Sequence, residues 1–74
     1  MTESKPFDAL NKSVGKRVIV EMKNNKQYTG LLNAWDQHIN IVLNDAEERA
    51  NGEVIRKIGT IFIRGDTITV IFPA

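Results

Sequence analysis

Two short polar clusters hold the residues of this chain best placed to do chemistry. Asp36-Gln37-His38-Ile39-Asn40 contains the one histidine, and Arg64-Gly65-Asp66 sets a guanidinium and a carboxylate on either side of a glycine. A histidine near an aspartate can in principle move protons. The rest of a catalytic apparatus does not stand out. There is no Ser/His/Asp spacing, no cluster of metal ligands, no phosphate-cradling glycine loop and no pair of carboxylates at one site. The sequence therefore names no catalytic residue, no metal site and no cofactor. Taken singly, the clusters have plain readings: a tight turn with a surface ion pair, a loop histidine, and an asparagine that caps a turn. What they do together depends on the elements that position them.

The 74 residues suffice for one domain. A domain of this size buries only about 60% of its unfolded surface, so its own core is marginal. With no cysteine and a single histidine, disulfides and metal are poor sources of extra stability, which leaves oligomerisation as the common device. Ten basic and nine acidic residues give a net charge of +1, which argues against a polyanion binder held by charge alone and leaves room for a local basic site. No apolar run approaches the roughly 20 residues of a membrane span, and no signal-peptide pattern opens the chain. The lack of cysteine is compatible with a reducing cytoplasm, the expected location.

Residues 1–5 are polar and expected to be flexible. Pro6 to Asn11 reads as a short helix, with Phe7 and Leu10 on one side, too short to hold without docking. Arg17 to Met22 alternates, with Val18, Val20 and Met22 facing one way, as in a half-buried strand. Lys23-Asn24-Asn25-Lys26 is a polar turn. Gln27 to Trp35 is a second strand. Its interior Gly30 marks a bend or close backbone approach, with Leu32 and Ala34 on the Gly30 face and Leu31 and Trp35 opposite. A third strand is expected from Ile39 to Asn44, with Ile39, Ile41 and Leu43 on one face. Asp45 to Gly52 then reads as an acidic loop ending in the turn pair Asn51-Gly52, with Glu47, Glu48 and Arg49 solvated. Glu53 to Ile63 is a long strand bent at Gly59, and Thr67 to Phe72 is the last, stopped by Pro73.

The stretch from Ile58 to Phe72 reads as two strands folded in a tight hairpin about Arg64-Gly65-Asp66. Its oddity is apolarity on both faces: Ile61, Ile63, Ile68 and Val70 need cover on one side, while Phe62 and Ile71 alternate with them. A one-sided sheet does not look like that. Either both faces are buried, or another chain covers one face or edge. One short helix and five short, strongly bent strands predict a mainly β, antiparallel SH3-like or OB-like barrel.

The order of these pieces resembles the Sm/Lsm family, and most closely its archaeal branch. The first family motif is matched by Val18-x-Val20, Gly30-x-Leu32, Asp36-Gln37-His38-Ile39-Asn40 and Leu43. The second is matched by Ile63-Arg64-Gly65-Asp66 and the apolar strand after it. The match runs from Pro6 onward, which makes residues 6–74 one Sm domain. Ile39 departs from it, standing where the family usually has Met, a volume-conserving swap expected to cost little. The bacterial Hfq branch carries a Tyr-Lys-His run that is absent here.

The resemblance implies an Sm fold assembled into a ring, in the archaeal branch a homoheptamer, with strand four of one subunit pairing with strand five of the next. Such a contact would absorb the greasy edges at Ile61–Ile63 and Ile68–Phe72. The resemblance also brings the two polar clusters together at a central pore and assigns His38, Asn40, Arg64 and Asp66 to single-stranded U-rich RNA, with Asp36 and Gly65 supporting the loops. An imidazole and a guanidinium can sandwich a base, and stacking contributes about 1–3 kcal/mol per base. The Asn40 amide would discriminate uracil, accepting from N3–H and donating to O4, provided something locks it against flipping. Asp66 is the expected lock, and Asp36 is expected to hold its own loop through backbone N–H groups. Trp35 reads as packing, with an outer RNA contact near Trp35 and Lys5 suggested by some relatives. The implied function is a scaffold or chaperone in RNA processing, and not an enzyme. The alternative is a small barrel for protein–protein interaction without RNA contact.

Overall fold

A computed structural model describes residues 10–74. The flexible segment expected over residues 1–5 and most of the expected helix lie outside the described residues. Residues 10–12 are helical and run into a turn. That turn is tied to the sheet by the Gly15 N–H, which donates to the Leu32 carbonyl at 2.7 Å.

Five strands follow: β1 (Arg17–Met22), β2 (Gln27–Trp35), β3 (Ile41–Ala50), β4 (Glu53–Ile63) and β5 (Ile68–Pro73). They form one antiparallel sheet in the order β4-β3-β2-β1-β5. The expected barrel is not closed, because β4 and β5 are the two outer strands and do not pair with each other. The tight hairpin expected at Arg64-Gly65-Asp66 is also absent. Gly65–Thr67 forms a single 3-10 turn that carries the chain across to β1, where Val20 pairs with Ile71.

The core follows the alternation of the strands. Val18 and Val20 of β1, Leu32 of β2, Ile41, Leu43 and Ala46 of β3 and Ile63 of β4 are buried together. Close approach makes this possible at Gly30, where a Cβ would lie 3.0 Å from the Asn44 carbonyl oxygen and 3.1 Å from the Leu43 Cβ. Register slips between Thr29 and Leu31 and between Leu32 and Ala34 bend β2 against β3. The second slip breaks the expected alternation: Ala34 is exposed, while Trp35 turns to pack on the core.

β3 differs most from expectation. It starts two residues later, because Ile39 adopts a φ of 61°, and it continues through the stretch read as a solvated loop. Asp45, at φ 49°, is the bulge that resets the alternation so that Ala46 and Glu48 face inward. Glu48 is only 7% exposed. Arg56 of β4 supplies the partner that a buried carboxylate requires, its Nε donating to Oε1 at 2.8 Å. No helix among the described residues is long and apolar enough to cross a membrane.

Candidate nucleic-acid interface

Residues 36–40 connect β2 to β3, and residues 64–67 connect β4 to β5. Both loops leave the same end of the β3–β4 pair, where Ile41 sits opposite Ile63. That register alone brings the two polar clusters side by side.

Asp36 organises the first loop. Its Oδ1 accepts from the backbone N–H of His38 at 2.8 Å and of Asn40 at 3.2 Å, as its expected role requires. The Ile39 N–H donates to the Asp36 carbonyl and the Asp36 N–H to the Asn40 carbonyl, closing a compact turn. Within that turn Ile39 is held in the left-handed region, which is costly for a β-branched residue. The swap for Met at this position thus carries a backbone cost that volume alone does not reveal.

The lock on the Asn40 amide is not Asp66. Asp36 Oδ2 accepts from Asn40 Nδ2 at 3.1 Å, and Asn40 Oδ1 accepts from the Gly65 N–H at 2.8 Å. One carboxylate therefore holds both the loop and the amide, and the amide holds the second loop. Asp66 pairs instead with Arg64, whose Nη2 donates to Oδ2 at 3.1 Å. With side chains 81% and 63% exposed, this pair adds little stability, but it steers the guanidinium. The Asn40 and His38 hydrogen bonds hold the Asp36 carboxyl below its ordinary pKa, so it is ionised as an acceptor throughout the physiological range.

Gly65 explains how the loops can touch. Its φ is not positive, so conformational freedom is not the reason for glycine. A Cβ here would collide with the His38 carbonyl oxygen and lie 2.8 Å from the Ile39 carbonyl carbon. The turn is braced by Thr67, whose Oγ1 donates to the Arg64 carbonyl at 2.7 Å. Sequence reasoning missed this role for Thr67; its position three residues after Arg64 was the available signal.

The grouping is not uniform. Asp36, Asn40 and Arg64 line one groove together with Trp35, Val42 and Phe62. His38 and Gly65 open into the adjoining groove beside Ile68 and Val70 of β5. Asp66 lines neither. Trp35 Nε1 donates to Asn11 Oδ1 at 3.2 Å while its ring packs on the core, in keeping with a packing role; Lys5, its suggested partner in an outer site, lies outside the described residues.

What the arrangement offers is a small β-domain with two exposed planar groups, an amide fixed by Asp36 and Gly65, and two strand edges left unpaired among the described residues. The LSM domain profile matches residues 8–73, and the chain belongs to that family. It is 49% identical over 70 residues to an snRNP Sm-like protein of Archaeoglobus fulgidus, covering 95% of this chain and 91% of the relative. Among solved structures it resembles the Pyrococcus abyssii Sm protein in complex with a uridine heptamer, at 39% identity and a TM-score of 0.91, over 96% of this chain and 100% of the other. The P. aerophilum SmAP1 heptamer matches at 36% identity and a TM-score of 0.90, over 99% and 97% of the two chains.

Proposed function

We propose that this protein binds single-stranded U-rich RNA at the pore of a homoheptameric ring and serves as a scaffold or chaperone in RNA processing in the cytoplasm, without a cofactor and without catalysis. The observation that carries this reading is the doubly anchored Asn40 amide. Asp36 takes one Nδ2 hydrogen and Gly65 fills one lone pair of Oδ1, which leaves one donor and one acceptor of the amide for a base. Uracil presents the matching pair at N3–H and O4. Cytosine requires the reverse order. A flipped amide would set Nδ2 against the Gly65 N–H and Oδ1 against the Asp36 carboxylate, two repulsive contacts. His38 and Arg64 supply the stacking planes, and Asp66 orients Arg64.

The ring is supported by the two free edges. Phe62 on β4 is 80% exposed and Val70 on β5 is 44% exposed, and both lie on strands that end the sheet with an open edge. Pairing β4 of one copy with β5 of the next covers both and closes by rotation. A heptamer places one weak pocket per subunit along one strand, and linkage raises their joint affinity.

Uridine-oligomer titration tests the reading. Wild type should bind, and His38→Ala or Asn40→Ala should each lose at least about tenfold in affinity, equivalent to about 1.4 kcal/mol. No binding by wild type at low salt would leave a protein–protein interaction module as the better account.

A further inference from the structure

A second polar feature lies away from the loop pair. The β1–β2 turn and the β3–β4 turn border a cleft lined by Lys23, Lys26 and Arg49, with Glu21, Gly52 and Thr69. The three cations are without an acidic partner among the described residues, whose ion pairs are Arg56–Glu48 and Arg64–Asp66. The one carboxylate in the cleft, Glu21, is met by Gln27 Nε2 at 3.4 Å. Arg49 is half used: Nη2 donates to the Gly52 carbonyl at 2.8 Å, while Nε is shielded from solvent with no hydrogen-bond partner. An unmade bond at a shielded donor is costly, and a guanidinium that swings to take a phosphate through both nitrogens removes the deficit. The cleft is also joined to the RNA site. The Lys23 N–H donates to the Thr67 carbonyl at 2.9 Å, at the end of the turn that carries Arg64 and Asp66.

We infer that the Lys23–Lys26–Arg49 cleft binds backbone phosphates of the same RNA strand whose bases the loop pair reads, carrying the strand beyond the ring of base pockets. The inference rests on the RNA-binding reading above. An acidic protein segment fits less well, because the cleft is tied through the Lys23 N–H to the turn that carries Arg64 and Asp66. Binding there is blind to base identity, since its donors meet phosphate oxygens alone.

The test compares wild type with Lys23→Ala/Lys26→Ala/Arg49→Ala, titrating a uridine heptamer and a long polyuridine over a series of salt concentrations. A Lys23→Ala/Lys26→Ala variant, which alters no shielded group, guards against disturbance of the β3–β4 hairpin. Heptamer affinity should stay unchanged in both variants. Polyuridine affinity should fall, and the slope of log K against log salt should shrink by about 0.7 for each phosphate that is no longer neutralised. An unchanged polyuridine slope in both variants, or an equal weakening for heptamer and polyuridine, overturns the cleft and leaves the pore reading standing. Failure of wild type to bind the heptamer overturns the pore reading itself, and the cleft with it.

Discussion

Asn51-Gly52 and Gly65-Asp66 each set a glycine beside a polar residue between two strands, and the two turns are built for opposite reasons. At the β3–β4 turn, Asn51 has φ 54° and Gly52 φ 80°, the mirror-image turn that fits the twist of an antiparallel pair. A Cβ on Gly52 would meet nothing within 4 Å. At the β4–β5 turn the backbone of Gly65 is ordinary and the space is full. The first glycine serves the dihedral angle, and the second serves the close approach of another loop. One turn can be read from neighbouring residues, whereas the other makes sense only once Asp36–Asn40 lies against it.

Substitution separates the two turns. Gly65→Ala should have the largest effect. The intruding methyl forces the loops apart, at a cost of about 1–3 kcal/mol as in other overpacked sites, and uridine binding should be abolished with it. Gly52→Ala should cost about 1–2 kcal/mol, the penalty of a side chain in the left-handed region, and leave uridine affinity intact. Thermal melts and uridine titrations on the two variants separate the cases; a Gly52→Ala protein with impaired binding would show that the turns are not independent. Ile39→Met relieves a β-branched side chain in the left-handed region and should raise stability by under about 1 kcal/mol without changing affinity, as read from denaturant midpoints.

The smallest effect concerns pH. The folded pKa of Asp36 lies below its ordinary value of 3.8, so its hydrogen bonds contribute stability above that value. The contribution disappears as pH falls through the lower folded value. The melting-temperature advantage of wild type over Asp36→Asn should therefore be steady between about pH 5 and 8 and shrink only in acid. A difference that changes near neutrality would assign the effect to another group.

The strands were legible where side chains alternate. Val18 and Val20 on one face, the limits of β4 and the Asn51-Gly52 turn needed no tertiary information. β3 beyond Asn44 was not legible, because Glu47, Glu48 and Arg49 look like a solvated loop until Arg56 is placed across from Glu48. The β4–β5 connection misled because a Gly-Asp pair between apolar runs is the local signature of a hairpin, and the sheet order is not local. For the site, chemistry of residue type pointed to an amide in need of a lock but chose the wrong carboxylate. Asp66 is near in the motif, and Asp36 is near in the loop. Both-face apolarity had a similar limit: Ile63, which sequence reasoning set at a subunit contact, is 6% exposed and belongs to the subunit's own core, while Phe62 is the exposed member of the pair.

In the proposed pocket, base preference would rest most on Asp36 and Gly65 fixing the order of donor and acceptor on Asn40. Competition between uridine and cytidine heptamers, measured for wild type and for Asp36→Asn, addresses that dependence directly. Wild type should prefer uridine by at least about tenfold, or about 1.4 kcal/mol, and Asp36→Asn should lose most of that preference. Equal affinities in wild type, or a preference that survives Asp36→Asn undiminished, would contradict it.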